Sequence, residues 1–180
     1  PDQSAAAIQN GFRQGAMPAE FLGGLGSEGA AALKEFAGEG GKLVFLNGST
    51  AYAIEQLGVT ATDVLSGVPS RDFYCPGSLL KVQLDGSSPL TLGLPRDFTV
   101  WMESGPAFDP STSGVRSIAR YAPSGILASG WLLGEKFIAG KSALIEAPMG
   151  KGKAILFGFR PQYRAQSYLT LKLLFNALVM

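Results

Sequence analysis

Short apolar runs and helical repeats of apolar residues alternate along the chain. The runs at 42–46 (KLVFL) and 154–159 (AILFGF) have the length of buried strands. Apolar residues recur at helical spacing within 27–38, 50–57 and 168–178. A buried strand followed by an amphipathic helix is the repeating unit of α/β folds, so the pattern predicts an α/β domain with a mainly parallel central sheet covered by helices.

The last helix is predicted to be mostly apolar. Tyr168, Leu171, Phe175 and Leu178 recur at helical spacing, and a narrow polar strip with Asn176 lies on another side. Such a helix is typical of those that cover a central sheet. By contrast, residues 5–25 are rich in small residues without a clear period, which indicates a long loop with one helical turn near 18–22.

The middle of the chain has a different rhythm. Between about 60 and 130, strand candidates at 79–84, 98–102 and 115–121 are separated by clusters of Pro, Gly, Ser and Asp. We interpret this segment as an antiparallel insertion or edge extension within one domain that spans 1–180. Later runs at 142–147 and 153–159 flank a five-residue turn and predict a hairpin.

Composition narrows the function classes. The net charge is +1 with no basic stripe, which argues against a nucleic-acid partner, and no apolar run reaches membrane-spanning length. The chain has no histidine, so Ser–His and Cys–His nucleophile activation within it is excluded. No acidic or cysteine spacing suggests a metal site. Because the chain starts at Pro1 without a methionine, we expect a fragment of a longer polypeptide.

Three short segments could carry chemistry. The turn at Asn47 and Ser49 follows a predicted strand, where Ser49 would be either a nucleophile with a Lys or carboxylate base or simply a helix N-cap. Cys75 is followed by Pro-Gly and no predicted helix, which favours a buried packing role over a reactive thiol. Lys151 and Lys153 sit in Gly-Lys-Gly-Lys before a strand, so a hairpin turn is favoured over a phosphate loop.

A polar loop, 160–166, follows the last predicted strand. Ligands of open α/β sheets tend to bind beyond the carboxyl ends of strands, so its Arg and Gln residues could grip a carboxylate or an acidic partner surface. The alternative is internal pairing at the start of the last helix. We expect no catalytic residue, and an aromatic partner face could include Trp101, Trp131 and Tyr163. The candidate ligand- or partner-binding residues are Asn47, Ser49, Trp131, Arg160, Gln162 and Arg164.

Most of the chain, from about Pro1 to Leu178, also resembles a known family. The segments DFYCPGSLL and FGFRPQYRAQ, together with LGSEGAAALKEFAGEGGKLVFLNGSTAYAIEQLG, resemble the C-terminal region of bacterial zinc carboxypeptidase-like proteins of the carboxypeptidase A superfamily. That region is similar to class I glutamine amidotransferase domains. The resemblance therefore implies a three-layer, flavodoxin-like or amidotransferase-like α/β fold, and a secreted or periplasmic location.

The resemblance also implies that catalysis takes place in another domain of the protein. Class I amidotransferases carry a cysteine at the strand-to-helix turn, whereas this chain has Leu46-Asn47-Gly48-Ser49 there and lacks the histidine partner. The zinc ligands of the peptidase have no counterpart here and would belong to an upstream domain, which would be the partner of this chain. We therefore expect a non-catalytic accessory domain, with a small-molecule or glycan-binding module as the alternative. A hydrolase using Ser49 or Cys75 is a third possibility, and homo-oligomerisation is left open.

Overall fold

In the computed structural model, which describes residues 3–180, helices cover a seven-stranded mixed sheet. The helices are α1 (Ala5–Asn10), α2 (Gly26–Gly38), α3 (Thr50–Glu55) and α4 (Leu169–Val179). The strands are β1 (Lys42–Leu46), β2 (Ser78–Leu84), β3 (Asp97–Met102), β4 (Arg116–Tyr121), β5 (Leu127–Ser129), β6 (Ser142–Met149) and β7 (Gly152–Phe157). Their order in the sheet is β1-β7-β6-β4-β2-β3, and β5 pairs with β2.

The sheet is mixed and not mainly parallel, which corrects the prediction from the sequence. In the described chain, β1 and β7 form the one parallel pair, while β6–β7, β4–β6, β2–β4, β2–β3 and β2–β5 are antiparallel. Parallel neighbours need a long crossover, whereas a tight turn forces antiparallel pairing. The β6–β7 connection is such a turn: Met149 pairs with Gly152, so two residues close the hairpin where five were predicted. Gly150 accommodates the left-handed φ of 61° that this turn requires.

The β-rich middle segment belongs to the same sheet. Strands β2, β3 and β4 lie within a residue or so of the predicted strands, and β4 joins them to β6. The short strand β5 was not predicted, because its three residues are all exposed and carry no apolar alternation. The segment thus extends one edge of the sheet, beyond the hairpin that pairs with β1.

Alternating side chains on the central strands divide the core into two halves. Phe45 and Leu156 pack with residues of α1, α2 and α3 on one face of the sheet. Ile155 and Phe157 point to the opposite face, where Leu173 of α4 joins them. A strand turns successive side chains to opposite faces, so these strands are buried on both sides and read as continuous apolar runs. The molecule therefore has three layers, in agreement with the predicted α/β class.

Helix α4 packs through a different face from the one its apolar repeat suggested. Leu173 and Ala177 are buried, and so is Asn176 of the predicted polar strip. The Asn176 amide nitrogen donates hydrogen bonds to the carbonyls of Leu90 and Leu92, at 2.9 and 3.0 Å. The buried polar group is thereby satisfied. The exposed residues of the helix and its start include Tyr168 (77%), Phe175 (61%), Leu178 (60%) and Val179 (78%).

The N-terminal segment is more ordered than its composition indicated. Helix α1 was predicted as loop, and the single turn expected near 18–22 is the 3₁₀ turn Ala19–Phe21. The hydroxyl of Ser4 accepts a hydrogen bond from the Ala7 amide at 3.2 Å and caps α1. Small side chains let α1 lie against α2 and α3. Within residues 3–180, no helix combines the length and apolarity needed to cross a bilayer.

Candidate functional site

The turn after β1 is sharp and tightly fixed. Asn47 is buried and adopts a left-handed φ of 48°, a conformation that asparagine tolerates better than most residues. The Ser49 hydroxyl accepts a hydrogen bond from the Leu46 amide and donates one to the Leu46 carbonyl, both at 2.9 Å. The Thr50 hydroxyl donates to the carbonyl of Asn47 at 2.8 Å. Ser49 therefore closes the turn from within, and its side chain does not cap α3 as predicted.

A cavity of about 560 Å³ opens beside this turn, at the carboxyl end of β1. Its volume lies in the range of small-molecule sites in proteins. Three segments form its wall: the start of α3, the loop 61–66 and the loop 104–106. The lining residues are Asn47, Gly48, Thr50, Ala51, Ile54, Glu55, Ala61, Thr62, Asp63, Leu65, Ser66, Ser104, Gly105 and Pro106.

Backbone amides hold the Asp63 carboxyl in the wall of this cavity. Its Oδ1 accepts hydrogen bonds from the backbone amides of Leu65 and Ala107, at 2.9 and 3.1 Å. An isolated bridge between Asp63 and Phe108 fixes the loop from the other side. Burial raises the pKa of the Asp63 carboxyl above its ordinary value, although these two amides oppose the shift. In the part of the chain that the structure describes, its Oδ2 receives no hydrogen bond.

The loop 104–106 reaches the cavity through a close backbone contact. A Cβ atom on Gly105 would lie 2.2 Å from the Gly158 carbonyl oxygen and 2.3 Å from Oδ1 of Asn47. Only glycine permits this approach. The neighbouring Ser104 has a φ of 49°, and its amide donates to the Cys75 carbonyl at 2.9 Å. The ends of β1, β3 and β7 therefore meet at this point, as expected for a site at the carboxyl edge of a sheet.

The polar loop 160–166 makes internal contacts instead. The Arg160 guanidinium lies 2.7 Å from the Glu103 carboxylate. The rings of Tyr163 and Trp101 stack with centroids 4.9 Å apart and planes 7° from parallel. The guanidinium carbons of Arg160 and Arg164 lie 5.6 and 5.3 Å from the Tyr163 ring centroid. This arrangement corresponds to the alternative interpretation of the loop, in which its charges pair with neighbouring side chains.

The candidate residues predicted from the sequence do not form one site. Asn47 lines the cavity, whereas Ser49 is buried in the turn behind it. Gln162 is exposed in the loop 160–166. Trp131 is 65% exposed on the β-rich extension, where its backbone amide donates to the Ser78 hydroxyl at 2.9 Å. Their roles in binding stay predictions.

Most polar residues of the cavity were missed in the sequence, and Asp63 and Ser104 are examples. Asp63 and Ser104 lie in irregular loops, and neither belongs to a motif. A local signal for Asp63 does exist: an aspartate side chain often accepts a hydrogen bond from the backbone amide two residues later in a turn, as it does here from Leu65. Nothing local shows that this turn lies beside the carboxyl end of β1, because the pairing with 107–109 is a long-range contact.

The two nucleophile candidates of the sequence, Ser49 and Cys75, are both buried and hydrogen-bonded. Cys75 is 2% exposed, and its thiol donates a hydrogen bond to the Met102 carbonyl oxygen at 3.4 Å. Burial raises the pKa of this thiol. A buried thiol with a raised pKa carries little thiolate at neutral pH. Ser49 uses both hydrogen-bonding functions of its hydroxyl on one residue. Within residues 3–180, no cluster of three or more His, Cys, Asp or Glu side chains is placed to hold a metal ion.

Solved structures share this arrangement of layers at low sequence identity. A protein assigned as a GMP synthase component from Thermoplasma acidophilum superposes with a TM-score of 0.51 and 12% identity. The matched region covers 84% of this chain and 63% of that protein. The architecture fits a three-layer, class I glutamine amidotransferase-like fold. At this level of identity the likeness concerns the amidotransferase-like fold alone.

Further solved structures are similar to this chain at low sequence identity. A cytoplasmic protein from Salmonella typhimurium has a TM-score of 0.50 at 13% identity, over 83% of this chain and 58% of that one. A ThuA-like protein from Bacteroides uniformis has a TM-score of 0.45 at 14% identity, over 97% of this chain and 71% of that one. No protein-family model matches the sequence, and no curated protein matches it either. The resemblance to zinc carboxypeptidases therefore stays a prediction.

Proposed function

We propose that this amidotransferase-like chain is a non-catalytic accessory domain of a secreted bacterial zinc carboxypeptidase, which packs against the peptidase domain and supports it. The observation that carries the proposal is the apolar outer face of α4, formed by Tyr168, Phe175, Leu178 and Val179. These four residues are each at least 60% exposed; Phe175, Leu178 and Val179 lie in the last turns of α4, and Tyr168 is its N-cap. Exposed apolar side chains gathered at one end of a helix are typical of a protein–protein contact.

The chemistry of the site supports the non-catalytic part of the proposal. Ser49 and Cys75 are the nucleophile candidates of the sequence, and both are buried and engaged with backbone groups. The zinc carboxypeptidase part is supported by the sequence resemblance, above all by DFYCPGSLL and FGFRPQYRAQ. In the fold, the first of these segments leads into β2 and the second follows from β7 into the loop 160–166.

The proposal is tested first by the full reading frame and then by the full-length protein. We expect the frame to encode a peptidase domain with a zinc-ligand His-x-x-Glu pattern. In that protein, the double variant Phe175→Ser and Leu178→Ser should weaken the contact between the domains by about 2–4 kcal/mol, because serine removes the apolar surface that each side chain would bury against the peptidase domain. Differential scanning calorimetry should then show two separate unfolding transitions where the parent protein shows coupled unfolding.

Phe36→Ser provides the matched control. Phe36 is 53% exposed on α2, on the opposite layer of the molecule, so its replacement should leave the coupled transition unchanged. A reading frame without a peptidase domain would refute the proposal. Equal unfolding behaviour of the α4 double variant and the Phe36 variant would show that α4 is not the contact.

A second function is favoured by the cavity beside Asn47: binding of a small molecule or glycan unit at the carboxyl edge of the sheet. Hexose-sized probes should bind the purified chain in isothermal titration calorimetry. Ser66→Trp, at the exposed rim of the cavity, should abolish that heat by filling the space. Ser70→Trp, an exposed serine outside the lining, is the control and should bind like the unchanged chain.

A further inference from the structure

The charged residues that line the cavity in the described chain are acidic. Its charged lining residues are Glu55 and Asp63, and no Lys or Arg is among the residues that line it in the described chain. The remaining polar groups are neutral hydroxyls and amides, including Thr62, Ser66 and Ser104. An anionic ligand would lose its hydration here without gaining a counter-ion, which is costly in a partly buried site. A cationic ligand would meet the opposite charge.

Asp63 is placed to act as that counter-ion. Two backbone amides hold Oδ1, so the carboxylate is oriented before any ligand arrives and loses little freedom on binding. Its Oδ2 receives no hydrogen bond within residues 3–180 and can accept one from a ligand. An ammonium group there would also offset the unfavourable burial of the carboxylate.

We propose that this cavity binds a small molecule carrying an ammonium group, with Asp63 as its counter-ion and the surrounding hydroxyls as hydrogen-bond partners for the rest of the ligand. The inference rests on the second proposed function, binding at the cavity, and names the chemical class of its ligand. It does not depend on the packing of α4, which contributes no residue to the cavity lining in the described chain.

Three hexose derivatives of nearly equal size and different charge test the proposal. Glucosamine is cationic, glucose is neutral and glucuronate is anionic, and each is small enough for a cavity of about 560 Å³. In titration calorimetry at neutral pH and low salt, glucosamine should bind at least tenfold more tightly than glucose, and glucuronate should bind most weakly. Asp63→Asn should reduce glucosamine affinity at least tenfold and leave glucose affinity unchanged.

The Asn variant is suitable because its Oδ1 can still accept the amides of Leu65 and Ala107, so the loop keeps its shape. Asp72→Asn, at an exposed carboxylate outside the cavity, is the matched control and should bind glucosamine normally. Equal affinities for glucosamine and glucose would overturn the ammonium assignment while binding at the cavity stands. Absence of heat with all three probes would overturn both, and equal loss in the two Asp variants would remove the role of Asp63.

Discussion

The buried amide of Asn176 should be a main attachment of α4 to the rest of the domain. Its side-chain nitrogen donates to two backbone carbonyls, those of Leu90 and Leu92, in the 3₁₀ turn and loop that precede β3. Asn176→Ala removes both donors and leaves two carbonyl groups short of a partner. Because the side chain is 5% exposed, water has limited access to replace them.

The expected cost follows from these two hydrogen bonds. Each contributes about 1 kcal/mol net, and the unsatisfied buried acceptors add to the loss, so Asn176→Ala should lower the free energy of unfolding by about 2–3 kcal/mol. For a chain of this length the melting temperature should fall by roughly 5–10 °C. Urea unfolding followed by circular dichroism measures the change directly, with the denaturant dependence expected to stay constant.

Two comparison variants make the result specific. Lys172→Ala removes an exposed side chain one turn earlier on the same helix and should change stability by less than about 0.5 kcal/mol. Asn176→Asp keeps the size of the side chain but places an acceptor against two carbonyls, so it should destabilise at least as much as alanine at neutral pH. If Asn176→Ala unfolded at the same urea concentration as Lys172→Ala, the attachment of α4 through Asn176 would be wrong.

Single contacts elsewhere in the domain give three more predictions. Gly105→Ala should cost at least about 3 kcal/mol in urea unfolding, because its Cβ would meet a carbonyl oxygen at 2.2 Å, whereas Gly86→Ala, with open space around it, should change little. Hydrogen bonds from Ser87, and to a smaller extent from Arg116, lower the pKa of Asp85 to about 2. The ionised Asp85 therefore stabilises the fold fully above about pH 4, and this stabilisation is lost as the pH falls through about 2. Asp85→Asn should therefore cost about 1 kcal/mol at pH 7, after allowance for exposure, and nothing below about pH 2 in pH-dependent unfolding. Cys75 should react with a thiol reagent far more slowly in the folded chain than in urea, and fast labelling of the native protein would contradict its burial.

The sequence pattern predicted the strands better than their pairing. Apolar runs locate β1 and β7 because these strands are buried on both faces, and alternation locates β2 through β4. Strand direction depends on which strands become neighbours, and that choice is made by long-range contacts. The pairing of β4 with β6, for example, joins segments more than twenty residues apart and has no local signature.

The buried side of α4 could not be predicted from the sequence pattern either. Its sequence is apolar on most sides, so periodicity cannot decide which side is buried. The deciding contact is polar: the two carbonyls at Leu90 and Leu92 require a donor, and Asn176 supplies it. The buried Asn176 then places Phe175 and Leu178 outside. An apolar face left on the surface in this way is a stronger indication of a partner than the apolar composition of the helix was.

The two proposed surfaces are formed by different elements of the fold, which makes their tests independent. The cavity opens beside α3; its lining residues Ile54 and Ala61 belong to the core half shared with α1 and α2, and Leu65 packs on the other half. Helix α4 covers the other half through Leu173 and Ala177. A partner bound along α4 would therefore leave the cavity open to a ligand. Phe175→Ser with Leu178→Ser should not change the affinity for glucosamine, and Asp63→Asn should not separate the unfolding transitions of the two domains. If either variant changed the measurement made on the other surface, the two surfaces would be coupled through the β1–β7 pair that both core halves share.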